Sequence, residues 1–128
     1  MLRELEGDRG IVIGDLEAGV GTLLRLQPGQ ADVVLVVAQP TAKAVEVARR
    51  AIEIAAGRGR VVLLANRIRD DGDVDLIRDG TGWRGDVVVL PDDPAIAAAD
   101  EQGVAAVDSA PDSPVVRALA GLAAGLAG

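Results

Sequence analysis

Three polar clusters stand where open α/β sheets do their chemistry. Asp15 ends the apolar run Gly10-Ile-Val-Ile-Gly14, Asn66 ends Arg60-Val-Val-Leu-Leu-Ala65, and Pro91-Asp92-Asp93 follows Asp86-Val-Val-Val-Leu90. In such sheets ligands bind in the crevice beyond the carboxyl ends of parallel strands. A carboxylate placed there can hold a hydrated cation or orient a water. An amide such as Asn66 presents a donor and an acceptor together. Gly19 closes a tight turn after Asp15, and a glycine there lets the backbone come close to a ligand. Each residue also has a plainer reading. A strand-terminal Asp is often a turn residue or helix cap, Asn tolerates left-handed turns, and Pro-Asp-Asp-Pro serves as a turn and N-cap. It is the joint order and spacing of the three that carries the functional reading.

Composition narrows the chemistry. The chain has 128 residues, a net charge of −7 and an apolar fraction of 49%, with no Phe, Tyr, Cys or His, and Trp83 is its sole aromatic residue. Zero Cys excludes disulfides and thiolate metal sites, a nickel thiolate included. Zero Cys and zero His together exclude zinc of the usual kinds and Ser-His or Cys-His catalysis. The acidic balance argues against nucleic acid as a partner, which requires a basic footprint. No apolar run reaches the roughly 18 residues of a membrane span and no signal peptide is legible, so a cytoplasmic protein without membrane contact is expected. The core must be built from Val, Leu, Ile and Ala, which suits parallel strands buried on both faces.

The length fits a single α/β domain over 1–128. Strands are predicted over 11–15, 32–38, 60–66 and 86–90, with a fifth short one over 103–107. Residues 20–26 suit a short helix or an active-site loop. Thr41 caps a helix whose apolar positions Val45, Ala48, Ile52 and Ala55 recur at helical spacing. Asp70-Asp-Gly-Asp73 reads as a loop with a short helical piece near 74–78. Gly80 to Gly85 reads as a loop carrying Trp83, either a lid over the sheet edge or a partner contact. Helices are expected over 95–102 and 115–127. Alternation of strand and helix predicts a three-layer fold, with a mostly parallel sheet of four to five strands and helices on both faces, joined by right-handed crossovers.

In this order the motifs resemble the carboxyl-terminal part of the MinD/ParA-type deviant-Walker P-loop ATPases. The nearest branch is the CooC-type carbon monoxide dehydrogenase accessory ATPases. Asp15-Leu-Glu-Ala-Gly19 resembles that branch's Asp-Thr-Glu-Ala-Gly. Ala31-Asp-Val-Val-Leu-Val-Val-Ala-Gln-Pro-Thr41 resembles its Asp-(apolar run)-Asp-Pro-Ser, with Gln39 in place of an Asp. Val62-Leu-Leu-Ala-Asn66-Arg67 resembles the Asn-Arg/Lys that contacts adenine, and Leu90-Pro-Asp-Asp-Pro through Gly103 resembles the segment that closes the adenine pocket. The resemblance spans nearly all of 10–126. It implies a truncated P-loop NTPase, Rossmann-like in fold. Asp15 would be the Mg-side or water-orienting acid and Gly19 the switch glycine. Asn66, Arg67, Pro91, Asp92 and Asp93 would form the base pocket for ATP or ADP.

Two family features are absent. The sequence has no deviant Walker A loop, whose backbone amides and lysines supply much of the phosphate affinity, and no Cys-x-Cys for nickel. The run Gly14-x-x-x-x-Gly19-Val-Gly-Thr22 imitates a P-loop by eye, but it lacks the lysine and carries Asp15 and Glu17 inside the would-be phosphate nest. What is expected is a nucleotide-binding remnant or fragment that binds adenine nucleotide weakly and does not hydrolyse it alone. The alternative is a non-catalytic interaction module, a pseudo-ATPase acting as a homodimer or with a full-length ATPase homologue. In the family the P-loop strand lies between the strands of 11–15 and 32–38. Its loss predicts either direct pairing of those two strands or a dimer that fills the gap.

Overall fold

The computed structural model describes residues 10–16 and 21–127, apart from the side chain of Thr22. In chain order these form α1 (Gly21–Leu24), β1 (Val33–Ala38), α2 (Ala42–Ala55), β2 (Arg60–Ile68), α3 (Asp71–Thr81), β3 (Val87–Pro91), α4 (Pro94–Gln102), α5 (Ala106–Ser109) and α6 (Pro114–Ala127). The three strands make one parallel sheet in the order β1-β2-β3.

Central β2 shows why its sequence is continuously apolar. Val61 to Ala65 are all buried, because the strand is covered on both faces. On one face, Val34, Val36, Val61, Leu63 and Ala65 meet Val45, Ala48, Ile52 and Ala55 of α2 and Ile77 of α3. On the other, Val62, Leu64 and Leu90 meet Ala118 and Leu122 of α6. The three-layer α/β architecture with helices on both faces is therefore present.

Local chemistry fixes the helix ends. The Thr41 hydroxyl accepts the Ala44 amide at 3.2 Å, as an N-cap should. The Asp70 carboxylate accepts the Asp73 amide at 3.1 Å and starts α3 there. Asp71 and Asp73 in the first turn complement the helix dipole. The acidic, glycine-containing run expected to be a loop is thus the first turn of a longer helix. That helix stops at Gly82, whose φ of 70° is the left-handed conformation glycine adopts without strain.

Two expected strands are corrected. Residues 11–15 pair with no other described segment and are exposed coil. A β-branched run becomes a strand only when a neighbour takes up its N–H and C=O groups. Residues 103–107 are not a strand either. Gly103 caps α4 at φ 67°, the Val104 amide still bonds the Ala99 carbonyl at 3.0 Å, and α5 begins at Ala106. Among the described residues the sheet has three strands, not four to five.

Candidate functional site at the carboxyl edge of the sheet

The ladder between β2 and β3 is irregular at one place. Ala65 pairs with Val89 and Ile68 with Pro91, so Asn66 and Arg67 together stand opposite the single residue Leu90. This is a bulge, rare between parallel strands and found elsewhere where a side chain must be re-aimed near a site. Arg67 takes φ 59°, the one positive φ at a non-glycine among the described residues. Such a conformation costs on the order of 1–3 kcal/mol and persists only where the surroundings enforce it. The ladder resumes beyond it, with the Asp92 amide donating to the Ile68 carbonyl at 2.9 Å.

The bulge opens onto a cleft of about 410 Å³ at the carboxyl ends of β2 and β3. Asn66, Arg67, Pro91, Asp92 and Asp93 all line it, and α4 and α6 add Ile96, Ala97, Asp100 and Val115. The five residues singled out for the base pocket are therefore brought together.

Their roles differ. The Asp93 carboxylate is already engaged: Oδ1 accepts the Ala95 amide at 3.0 Å and Oδ2 the Val115 amide at 3.3 Å. It caps α4 and ties α6 to it. Chiefly the Ala95 N–H, then the Val115 N–H and the Ser113 hydroxyl, hold its carboxyl below the ordinary range, while partial burial pulls the other way. Asp92 is exposed, and its Oδ1 lies 3.4 Å from Arg67 Nε, a long and solvated pair that fixes neither group tightly. Asn66, half-buried at the bulge, is the neutral amide of the cleft. Pro91, Ile96, Ala97 and Val115 supply apolar walls. Against one guanidinium stand the carboxylates of Asp92, Asp93 and Asp100, so the local field is acidic. A neutral planar heterocycle suits this lining better than a phosphate does.

Asp15 does not line the cleft. It lies in the exposed coil of 10–16. Gly19 falls outside the described residues. Among the described residues no group of three or more acidic side chains is placed to hold a metal ion, and no helix is long and apolar enough to cross a membrane.

Sequence reasoning missed the contributions of Ile96, Ala97, Asp100 and Val115. Helical spacing from the Asp93 cap puts Ala97 and Asp100 on one side of α4, and that signal could have found them. Val115 arrives from a distant element with no local signal. Trp83 is not a lid over the cleft, because it sits before β3, at the opposite end of the strand. Its indole packs against the α2–α3 core and its Nε1 donates to the Asp86 carbonyl at 2.9 Å.

Comparison with protein-family models and with curated proteins finds no match to this chain.

Proposed function

We propose that the chain is an adenine-nucleotide-binding module of MinD/CooC-like ancestry without a phosphate-binding loop. It takes the base end of ATP or ADP, weakly, and hydrolyses neither alone. The observation that supports this best is the bulge at Asn66-Arg67. A strained, non-glycine backbone is kept where it turns an amide toward a cleft walled by Pro91, Ile96, Ala97 and Val115. Asn66 presents donor and acceptor together, which matches the edge of adenine. In this reading Mg²⁺ accompanies the phosphates, and Asp15 is its candidate partner.

Calorimetric titration with Mg-ADP and Mg-ATP tests the reading, with Asn66→Ala as control. Micromolar to sub-millimolar binding is expected, weakened about tenfold in the variant, the ~1.4 kcal/mol of one good hydrogen bond. No binding at millimolar nucleotide overturns it.

A second reading has its own observation. Leu35 and Val37 on β1 remain exposed, which favours a non-catalytic interaction module that docks a homologue or a second copy on that strand. Sedimentation of the chain alone, and mixed with a full-length ATPase of this type, distinguishes the two occupants.

A further inference from the structure

The sheet is unfinished at β1. Among the described residues β1 has a hydrogen-bonded neighbour on one side only, so the N–H and C=O groups of its outer edge are free to template another strand. One of its faces is also uncovered. Leu35 and Val37 are 41% and 57% exposed, while α6 packs over the inner strands at Val62, Leu64 and Leu90.

The same chain carries a matching surplus upstream. Ile11 and Ile13 are 77% and 88% exposed and Val12 is 50% exposed. All three are β-branched, the type that favours a pleated, half-buried surface.

The route between the two segments suits strand addition. Leu23 of α1 and the following Leu26 are buried in the core that holds α2 and α3. Arg58 Nε donates to the Leu26 carbonyl at 3.0 Å and fixes the chain there. The path from Leu23 to β1 thus runs over the face that also carries the β1–α2–β2 and β2–α3–β3 connections. A strand laid parallel to β1 on its outer edge would reach β1 across that face, advancing in the same direction as both existing units. All three crossovers would then share one hand, and parallel units obey a single hand in about 98% of cases. Residues 17–32 also exceed the roughly dozen residues a parallel crossover needs.

We propose that Ile11–Asp15 is a strap that closes onto the outer edge of β1 as a fourth parallel strand, giving the order 11–15, β1, β2, β3. Closure covers apolar groups on both partners. It also carries Asp15 to the carboxyl end of the sheet, the end that holds Asn66 and Asp92. The competing occupant of the edge is β1 of a second copy. The tethered strap has the advantage, because a short tether holds it near millimolar effective concentration.

Amide hydrogen exchange of the full chain, followed by NMR at two protein concentrations tenfold apart, tests the proposal. Alternate amides between Val12 and Asp15 are expected to exchange at least tenfold more slowly than an open coil, equally at both concentrations. Val12→Pro and Ile13→Pro, which remove one donor each, are expected to abolish that protection in whichever register uses the lost amide. Coil-like exchange at 12–15 in the unsubstituted chain overturns the proposal. Protection that grows with concentration also overturns it, in favour of a second copy on the edge. Nucleotide is absent throughout, so the result does not depend on the binding reading.

Discussion

Asp93 joins two helix starts that lie far apart in the chain: its Oδ1 accepts the amide of Ala95 in α4, and its Oδ2 accepts that of Val115 in α6. The carboxyl is held below its ordinary range by these N–H groups. A carboxyl depressed in the folded state stabilises fully above its unfolded pKa, near 3.9, and that stabilisation is lost as pH falls through the folded value. Asp73 works in the same direction. Its carboxylate accepts the Arg69 guanidinium at 3.1 Å and the Arg69 amide at 2.9 Å, and the guanidinium contact contributes most to the lowering. Resistance to thermal unfolding is therefore expected to fall as pH drops below about 4. Asp93→Asn should lower the midpoint at neutral pH and converge with the parent chain once pH falls below the depressed folded-state value of Asp93, because only the charged form makes the difference. Parallel melting curves for the two chains across that whole range would refute the assignment.

Arg67 offers a separation of fold from site. Glycine accepts φ 59° freely, so Arg67→Gly relieves about 1–3 kcal/mol of backbone strain and adds back about 0.5–1 kcal/mol of chain entropy. A gain of roughly 1 kcal/mol in unfolding free energy is expected, together with weaker nucleotide binding as the bulge slackens. Urea melts and calorimetry on the same variant check the two halves. A destabilised variant would mean that the Arg67 side chain, not the bulge, holds this corner.

Gly80 of α3 lies directly against the Val45 side chain of α2. A Cβ added there would strike Cγ1 of Val45. Gly80→Ala, favourable for an isolated helix, is expected to destabilise the fold by about 1–3 kcal/mol through overpacking. Val45→Ala is destabilising alone, yet the double variant should be more stable than the sum of the two single changes, with a coupling of about 0.5–3 kcal/mol. Denaturant midpoints for the four members of the cycle provide the measurement, and strict additivity would argue against the contact.

Much of this architecture was legible because its signals are local. The Thr41 cap and the spacing of Val45, Ala48, Ile52 and Ala55 located α2, and all four are buried. The continuous apolar run before Asn66 located β2. The helix of α3 was misjudged at its start, since Asp70-Asp-Gly-Asp73 looks like a turn until Asp70 is seen capping the Asp73 amide. The run 11–15 has strand composition, but pairing depends on a neighbour, which no local pattern encodes. The cleft residues Asn66 and Pro91 to Asp93 were readable as strand ends. The bulge that aims Asn66 was not, because a two-against-one register is a property of two strands together.

Trp83, anchored by its Nε1 to the Asp86 carbonyl and packed on the α2–α3 core, is the protein's one indole. With no tyrosine beside it, intrinsic emission reads a single junction, between the end of α3 and the start of β3. Quenching or a red shift on denaturation will follow the melting of that corner and its core. Ligand capture at the carboxyl end of the sheet, or strap closure along the outer edge of β1, should leave the fluorescence silent. Detecting them takes a reporter placed among Asn66, Asp92 and α4.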